Sequence, residues 1–257
     1  MKKITAFISS SRKKNTYQAV QRFLGHLEKH GDVETEIVML KDYRLEICRG
    51  CMLCFEKGEE FCPLKDDRDI LLQKIETSDG VVFAGPNYTF DMNGRMKVFL
   101  DRFGFACHRP RYFGKTFTSI VTQGIGRGNE VVKCFDFVGQ VLGFNTVKGA
   151  CVTALDPRTE KDQEKINKTL DKLAKRFYIT LSSTAYPVPS SFMLMGFRMG
   201  RKAILQKADP DKRDYQYYEE KGWLTSDYYY PVRLGTMKNI LGKLFDRFAP
   251  LILKMVA

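Results

Sequence analysis

No stretch of this chain reaches the roughly 18 uncharged apolar residues that a spanning helix needs, so a transmembrane architecture is not expected. The opening residues pass from Lys2 and Lys3 straight into Ile4-Thr5-Ala6-Phe7-Ile8. That run lacks the apolar core and small-residue cleavage site of a secretory signal, and a cytoplasmic location is expected. A Ser/Gln/Pro-rich tract is missing too, and with it the case for a long disordered segment. The chain has neither a P-loop nor a Gly-x-Gly-x-x-Gly fingerprint, which removes two common ways of holding a nucleotide.

What is present is a globular composition. The 257 residues are 44% hydrophobic and 28% charged, with 19 Phe and 12 Tyr, enough for one α/β domain and an appendage around a sizeable core. Lys and Arg total 42 against 30 Asp and Glu, a formal net charge of +12. Such a balance favours phosphorylated ligands, nucleic acid or acidic membrane surfaces. Residues 190–257 hold 12 basic and 7 acidic side chains, so the excess is spread along the chain. A solvated basic surface is the simpler reading, and nucleic acid is not expected as a partner.

Hydrophobic periodicity supplies the fold. Residues 3–9 form an apolar run, and from Asn15 the pattern changes to Tyr17, Val20, Phe23, Leu24 and Leu27, a switch from strand to helix. Asn15 and Thr16 offer N-cap chemistry for that helix, and Gly31 offers its stop. The unit repeats with strands at 33–40, 80–85, 116–122 and 146–153, and Pro86 reads as the end of the third. Helices are expected at 69–77, around Met96, Phe99, Leu100 and Phe103, at 129–142, and along Ile166, Leu170, Leu173, Phe177 and Leu181. Five strands alternating with five helices predict an α/β fold with a doubly wound five-stranded parallel sheet, because parallel neighbours need crossovers and helices then cover both faces. In the order 2-1-3-4-5 the ligand site lies outside the carboxyl ends of strands one and three.

The loop after strand one, Ser9-Ser10-Ser11-Arg12-Lys13-Lys14-Asn15-Thr16, opens onto a helix N-terminus, where hydroxyls, amides and the positive dipole end suit a phosphate. It reads equally as a polar surface loop. The loop after strand three, Pro86-Asn87-Tyr88-Thr89-Phe90-Asp91-Met92-Asn93-Gly94, puts an aromatic where a flat ring would lie. Three glycines in Gln123-Gly124-Ile125-Gly126-Arg127-Gly128 let the backbone approach a ligand or simply make a flexible turn.

Taken together these segments resemble the NADPH-dependent FMN reductase branch of the flavodoxin-like proteins over roughly residues 1–185. The first loop is similar to the family's Gly-Ser-Pro-Arg…Asn-Thr, with Ser10, Arg12, Asn15 and Thr16 in matching places. Ser9 and Ser11 stand for the Gly and Pro, and the loop is one residue shorter. The second hallmark is the apolar strand Asp79–Gly85, then Pro86-Asn87-Tyr88, with Lys97 and Asp101-Arg102 further on. The third is Cys48-Arg49-Gly50-Cys51-x-x-Cys54 ending in Cys62 and followed by Asp66-Asp67, which resembles the motif of the iron–sulfur flavoprotein members. The resemblance implies FMN, its phosphate held by Ser10, Arg12, Asn15 and Thr16. The isoalloxazine would lie against Pro86, Asn87, Tyr88, Thr89 and the Gly124 loop. It also implies an oxidoreductase reduced by NAD(P)H that serves a small acceptor such as a quinone or flavin, or exchanges single electrons with a ferredoxin-type protein.

The spacing Cys-x2-Cys-x2-Cys-x7-Cys, with Pro63 directly after the last cysteine, is close to the compact ferredoxin run that ligates a [4Fe-4S] cluster. Zinc sites usually separate their pairs further, and bare thiols on a surface loop are the third reading. Cys48, Cys51, Cys54 and Cys62 are thus the candidate metal ligands. Cys107, Cys134 and Cys151 read as small buried hydrophobes, His108 as a structural residue, and His26 and His30 as surface residues.

Residues 186–257 form a helical C-terminal extension outside the resemblance, with turns at Asp209-Pro210-Asp211 and Thr225-Ser226-Asp227. Its end places Ile240, Leu241, Leu244, Phe245, Phe248, Leu251, Ile252 and Met255 at helical spacing, with Lys243, Arg247 and Lys254 on other faces. Such a stripe packs on the parent domain or on a second subunit, and a homo-oligomer is expected. It also has the character of a helix that lies on a membrane surface through 238–257.

Overall fold

The computed structural model describes residues 1–207 and 209–256, with side chains through Pro250 apart from Lys207. The elements are β1 (Lys2–Ile8), α1 (Asn15–Glu28), β2 (Val33–Met39), α2 (Leu53–Glu56), α3 (Arg68–Glu76), β3 (Gly80–Tyr88), β4 (Asp91–Met92), α4 (Gly94–Asp101) and α5 (Phe105–His108). They continue with β5 (Thr116–Gln123), α6 (Gly128–Val141), β6 (Asn145–Thr146), β7 (Ala150–Thr153), α7 (Glu160–Leu181), α8 (Ser191–Lys207), α9 (Arg213–Glu220) and α10 (Gly235–Val256). Two compact units divide the chain: Met1–Cys48, Leu64–Phe103 and Tyr112–Thr184 form the first, and Arg49–Pro63, Gly104–Arg111 and the residues from Ala185 onward form the second.

The first unit is the expected parallel sheet, in the order β2-β1-β3-β5, with β6 and β7 as successive pieces of the fifth position beside β5. Alternate residues serve the two faces. Ile4, Ala6 and Ile8 of β1, with Val82, Ala84 and Ile120, pack under α1 and α7 through Val20, Phe23, Leu170 and Phe177. The opposite face is aromatic: Phe83 meets Phe7, Phe99, Phe117 and Phe135 at ring-centroid distances of 5.0–6.5 Å.

Two expectations about the strands need correction. The fifth strand is interrupted at 147–149, where side chains take over its backbone groups: the Thr118 hydroxyl donates to the Val147 carbonyl at 3.0 Å, and the Gly149 amide donates to the Asp136 carboxylate at 3.0 Å. Pro86 does not end β3, which runs to Tyr88. Pro86 pairs with Thr122 on one side, and its missing N–H faces the side that β1 has already left, since β1 pairs with β3 only as far as Ala84. A proline is tolerated there because no ladder bond is lost.

In the second unit α10 packs along α8, and Trp223 stands edge-on to Tyr217, Tyr218 and Tyr229 while its indole N–H donates to the Tyr229 carbonyl at 2.8 Å. The guanidinium of Arg109 is fully buried and binds Asp214 of α9, Glu59 at 2.8 Å and the carbonyl of Cys54 at 2.7 Å. Residues 49–63 therefore belong to the same unit as the extension. His108 has the structural role expected of it, with Nδ1 2.7 Å from Asp214 and its ring against Phe55. His30 is exposed on Tyr178, and His26 is half-buried 3.4 Å from Asp171. The stripe positions Leu251, Ile252 and Met255 lie outside the described side chains.

The connection into α3 is fixed by a buried ion pair. Arg102, which follows α4, reaches Asp66 through both terminal nitrogens, at 2.5 and 3.1 Å, and also donates to the Glu46 carbonyl. Burial pushes the Asp66 carboxyl up, but the bonds from Arg102 and from the Glu46 and Arg68 amides outweigh it and hold the group below its usual range. Its contribution is therefore complete above the unfolded carboxylate range and is lost as pH falls through the depressed folded value. Asp66→Asn leaves Arg102 buried without a counter-charge and should cost about 3–5 kcal/mol at neutral pH. Urea unfolding at a series of pH values should show that deficit narrowing below about pH 4. A deficit independent of pH would remove the ion pair from this account.

Candidate active site

Parallel register brings the carboxyl ends of β1, β3, β5 and β7 to one edge of the sheet. There the chain leaves β1 at Ser9, whose amide donates to Ala84 at 2.9 Å and whose hydroxyl donates to Asn93 Oδ1 at 2.6 Å. Asn93 returns a bond from Nδ2 to the Ser9 carbonyl at 2.9 Å. The two loops that flank the switch point are thus tied by a buried reciprocal pair. Gly85 makes room for it, since a Cβ there would lie 2.6 Å from the Ser9 hydroxyl oxygen.

Between these loops is a cleft of about 250 Å3. It brings together eight of the nine cofactor-site residues expected from the sequence, namely Ser10, Arg12, Asn15, Thr16, Pro86, Asn87, Tyr88 and Gly124. Thr89 is not in its lining. Instead Thr89 and Phe90 form the two-residue turn between β3 and β4, both in left-handed backbone at φ 53° and 65°. That turn normally takes Asn-Gly, and a β-branched residue there is held against its preference, a kind of strain that collects at functional sites. Its effect is to leave Tyr88 and Phe90 more than half exposed beside the opening. Asn87 Nδ2 donates to the Gly126 carbonyl at 2.8 Å and links β3 to the glycine loop, while its Oδ1 is buried with no partner among the described residues.

The side chains of Asn15 and Thr16 do not cap α1 as expected. Lys14 is at the N-cap, with no side-chain cap bond. The Thr16 hydroxyl is buried against that of Thr122 at 2.7 Å. Asn15 donates to the Ala154 carbonyl at 2.8 Å and accepts from Arg158 at 3.0 Å. Both are drawn to long-range partners that local sequence cannot reveal. The first amides of α1, which have no intrahelical acceptors, are left facing a cleft that Arg12 and Lys14 make cationic. The Ser10 hydroxyl donates to the Arg12 carbonyl at 3.1 Å and curls the loop around that helix end.

These features fit the cofactor that the sequence implied. An uncapped helix N-terminus with two cations suits a phosphate, and an orphan acceptor on Asn87 suits an N–H at the edge of a flat ring. Sequence reasoning missed Lys14, Thr122, Gln123, Ala154 and Asp156, which also line the cleft. Lys14 and Gln123 carried a signal, being polar residues inside the edge loops. Gln123 caps α6, accepting from the Gly128 amide at 2.8 Å. Ala154 and Asp156 carried none, because they arrive from the loop after β7.

The single cysteines are less buried than expected: Cys107 is exposed, and Cys134 and Cys151 are half-buried. Burial nonetheless pushes the Cys151 thiol up to about 11, which disfavours its thiolate. On the cysteine loop, Gly50 and Met52 both take left-handed backbone, at φ 64° and 63°, so the chain bends sharply on either side of Cys51. Four thiols on one loop are the right donors for a soft cluster. Among the described residues, however, no three His, Cys, Asp or Glu side chains are gathered to hold a metal ion.

Comparison with known proteins accords with this fold. The family model for NADPH-dependent FMN reductase matches residues 2–155. An iron–sulfur flavoprotein of Archaeoglobus fulgidus is 30% identical over 233 residues, 86% of this chain and 100% of that protein. An iron–sulfur flavoprotein of Clostridioides difficile is 29% identical over 195 residues, covering 72% of this chain and 82% of that one. Among solved structures, the NAD(P)H:quinone oxidoreductase of Methanothermobacter marburgensis superposes with a TM-score of 0.53 at 17% identity, over 68% of this chain and 96% of that one. RosB, solved with a bound riboflavin-phosphate intermediate, gives 0.54 at 16% identity over 92% of each chain. These two likenesses are of fold.

Two substitutions separate the roles just described. Asn87→Ala removes the orphan acceptor and the bridge to Gly126, and should weaken FMN binding roughly 5- to 150-fold, the equivalent of about 1–3 kcal/mol. Thr16→Val keeps the shape but strands the Thr122 hydroxyl, so it should lower unfolding stability by about 1–3 kcal/mol while changing FMN affinity much less. Fluorescence titration of deflavinated protein, paired with urea unfolding, distinguishes them. The reverse pattern would assign the Thr16 hydroxyl to the phosphate.

Proposed function

Because the chain belongs to the NADPH-dependent FMN reductase family and is an FMN-dependent oxidoreductase, we propose that it carries electrons from NAD(P)H to a small acceptor of the quinone or flavin class. The observation that carries this reading is the single cleft where an uncapped cationic helix end and an unpartnered buried acceptor meet beside two exposed aromatic rings. FMN held there would supply the redox-active ring for hydride transfer from a nicotinamide and for reduction of the acceptor.

The residues act as holders and orienters. The α1 amides, Ser10, Arg12 and Lys14 hold the phosphate, the one compact anion of a mononucleotide. Pro86 and Asn87 form one wall, where the unpartnered Asn87 Oδ1 would accept a ring N–H. The Gly124 segment forms the other wall; a Cβ on Gly124 would already come within 3.2 Å of Leu155. Tyr88 and Phe90 flank the open side, where a second flat molecule finds aromatic contact. That arrangement favours acceptors which stack, and it suits both a nicotinamide and a quinone in alternation.

A second reading is favoured by the cysteine spacing and by the relatives named iron–sulfur flavoproteins. In it the four thiols take up a [4Fe-4S] cluster, and the protein passes single electrons to a ferredoxin-type partner. Serine at Cys48, Cys51, Cys54 or Cys62 should then lower iron and sulfide after anaerobic reconstitution while flavin content persists, since an alkoxide oxygen is a harder ligand than thiolate.

Turnover decides between the two. Anaerobic mixing with NADPH should bleach the bound flavin, and a soluble quinone should restore its absorbance repeatedly at a rate matching steady-state NADPH consumption. A flavin that NADPH leaves oxidised, but that a reduced ferredoxin bleaches, would replace the reductase reading with the carrier.

A further inference from the structure

The last helix has two faces of opposite chemistry. Its single acidic residue, Asp246, is turned inward, where it accepts from Arg198 at 2.7 Å and from Arg201 at 2.5 Å. Gly242 lies on the same side, and a Cβ there would come within 3.3 Å of the Arg198 guanidinium. Ala249 is fully buried. The outward side carries Met237, Ile240, Leu244 and Phe248, exposed by 83, 54, 43 and 48%. At 3.6 residues per turn these four fall on one stripe. Lys243 and Arg247, both exposed, lie one turn apart along its edge and make no ion pair among the described residues. The stripe is therefore apolar, rimmed by free positive charge, and lacks any acid of its own helix.

We propose that this face of α10 seats the protein on an anionic lipid surface. The chemistry is that of an interfacial helix, with apolar side chains entering the headgroup boundary and cations beside them meeting lipid phosphates. No described helix is long and apolar enough to cross a membrane, so the contact is peripheral. A second copy of the chain is the rival occupant, and charge argues against it. Pairing two such faces would bring Lys243 and Arg247 toward their counterparts, while the only acid of the helix is already bound to two arginines on the far side. An anionic surface neutralises the same cations. The proposal stands apart from the assignment of the cleft, because none of these residues lines it.

The test is sedimentation of the intact flavin-loaded protein with vesicles of phosphatidylcholine alone and of equal parts phosphatidylcholine and phosphatidylglycerol. Binding should need phosphatidylglycerol and should fall as salt rises toward about 0.3 M, because exposed charges are screened over that range. Lys243→Ala with Arg247→Ala should lower partitioning roughly 25-fold, at about fivefold per charge. Ile240→Asp with Leu244→Asp should abolish it, and because these side chains are exposed, flavin content and circular dichroism should not change. Failure to bind phosphatidylglycerol vesicles would overturn the proposal, as would undiminished binding by the Asp variant. So would light scattering that shows wild type as an oligomer which the Asp variant breaks into monomers without any vesicle binding, since the face would then belong to a second copy.

Discussion

The reciprocal bonds between Ser9 and Asn93 are the constraint on which the site rests. One residue directly follows β1 and the other precedes α4, so the pair fixes the separation of the two loops that diverge at the switch point of the sheet. Both are buried, and although the Ser9 hydroxyl also reaches the Ala84 carbonyl at 3.2 Å, breaking the pair would strand the Asn93 amide in a dry place. Everything downstream depends on that spacing. The uncapped end of α1 and the Asn87 acceptor face one cleft because their loops are held together at the base, where Gly85 admits the Ser9 hydroxyl. The serine that departs from the family's glycine at this position thus has a structural task.

The second unit has a corresponding centre in Arg109. Its guanidinium joins residues distant in sequence: the carbonyl of Cys54, the carboxylate of Glu59 and that of Asp214. Arg111 adds a second bond to Glu59 at 2.6 Å and lies over the ring of Phe105. Burial pushes the Glu59 carboxyl up, yet the two arginines and a backbone bond bring it below its usual range, so it stays ionised where the network needs it. The loop that carries three of the four clustered cysteines is accordingly held by charge as well as by packing. The seventy residues that read as an appendage supply one of those charges.

The sheet was legible because burial on both faces writes strands as uninterrupted apolar runs, and the long α7 stripe from Ile166 to Leu181 could be read in register. The loops of the cleft were legible because a parallel sheet confines ligand loops to one edge, and the resemblance to the FMN reductases singled out eight cleft residues within them. What escaped was set by partners far away in sequence. Asn15 and Thr16 look like helix caps until Ala154, Arg158 and Thr122 are folded beside them. Pro86 looks like a stop until the length of β1 is known. The break between β6 and β7 needs Thr118 and Asp136, and the grouping of residues 49–63 with the extension needs Asp214. Local pattern identifies elements; it does not say which of two available hydrogen-bond partners wins.

The central claim is that the end of α1, with Arg12 and Lys14, binds the phosphate of a mononucleotide flavin. Calorimetric titration of deflavinated protein with FMN and with riboflavin at several salt concentrations tests it most directly, because the ligands share a ring and differ in a charge of about −2 at pH 7. The account predicts that FMN binds at least 100-fold more tightly, an advantage of about 2.7 kcal/mol or more that shrinks as salt rises. Equal affinities, or an FMN advantage untouched by salt, would contradict it.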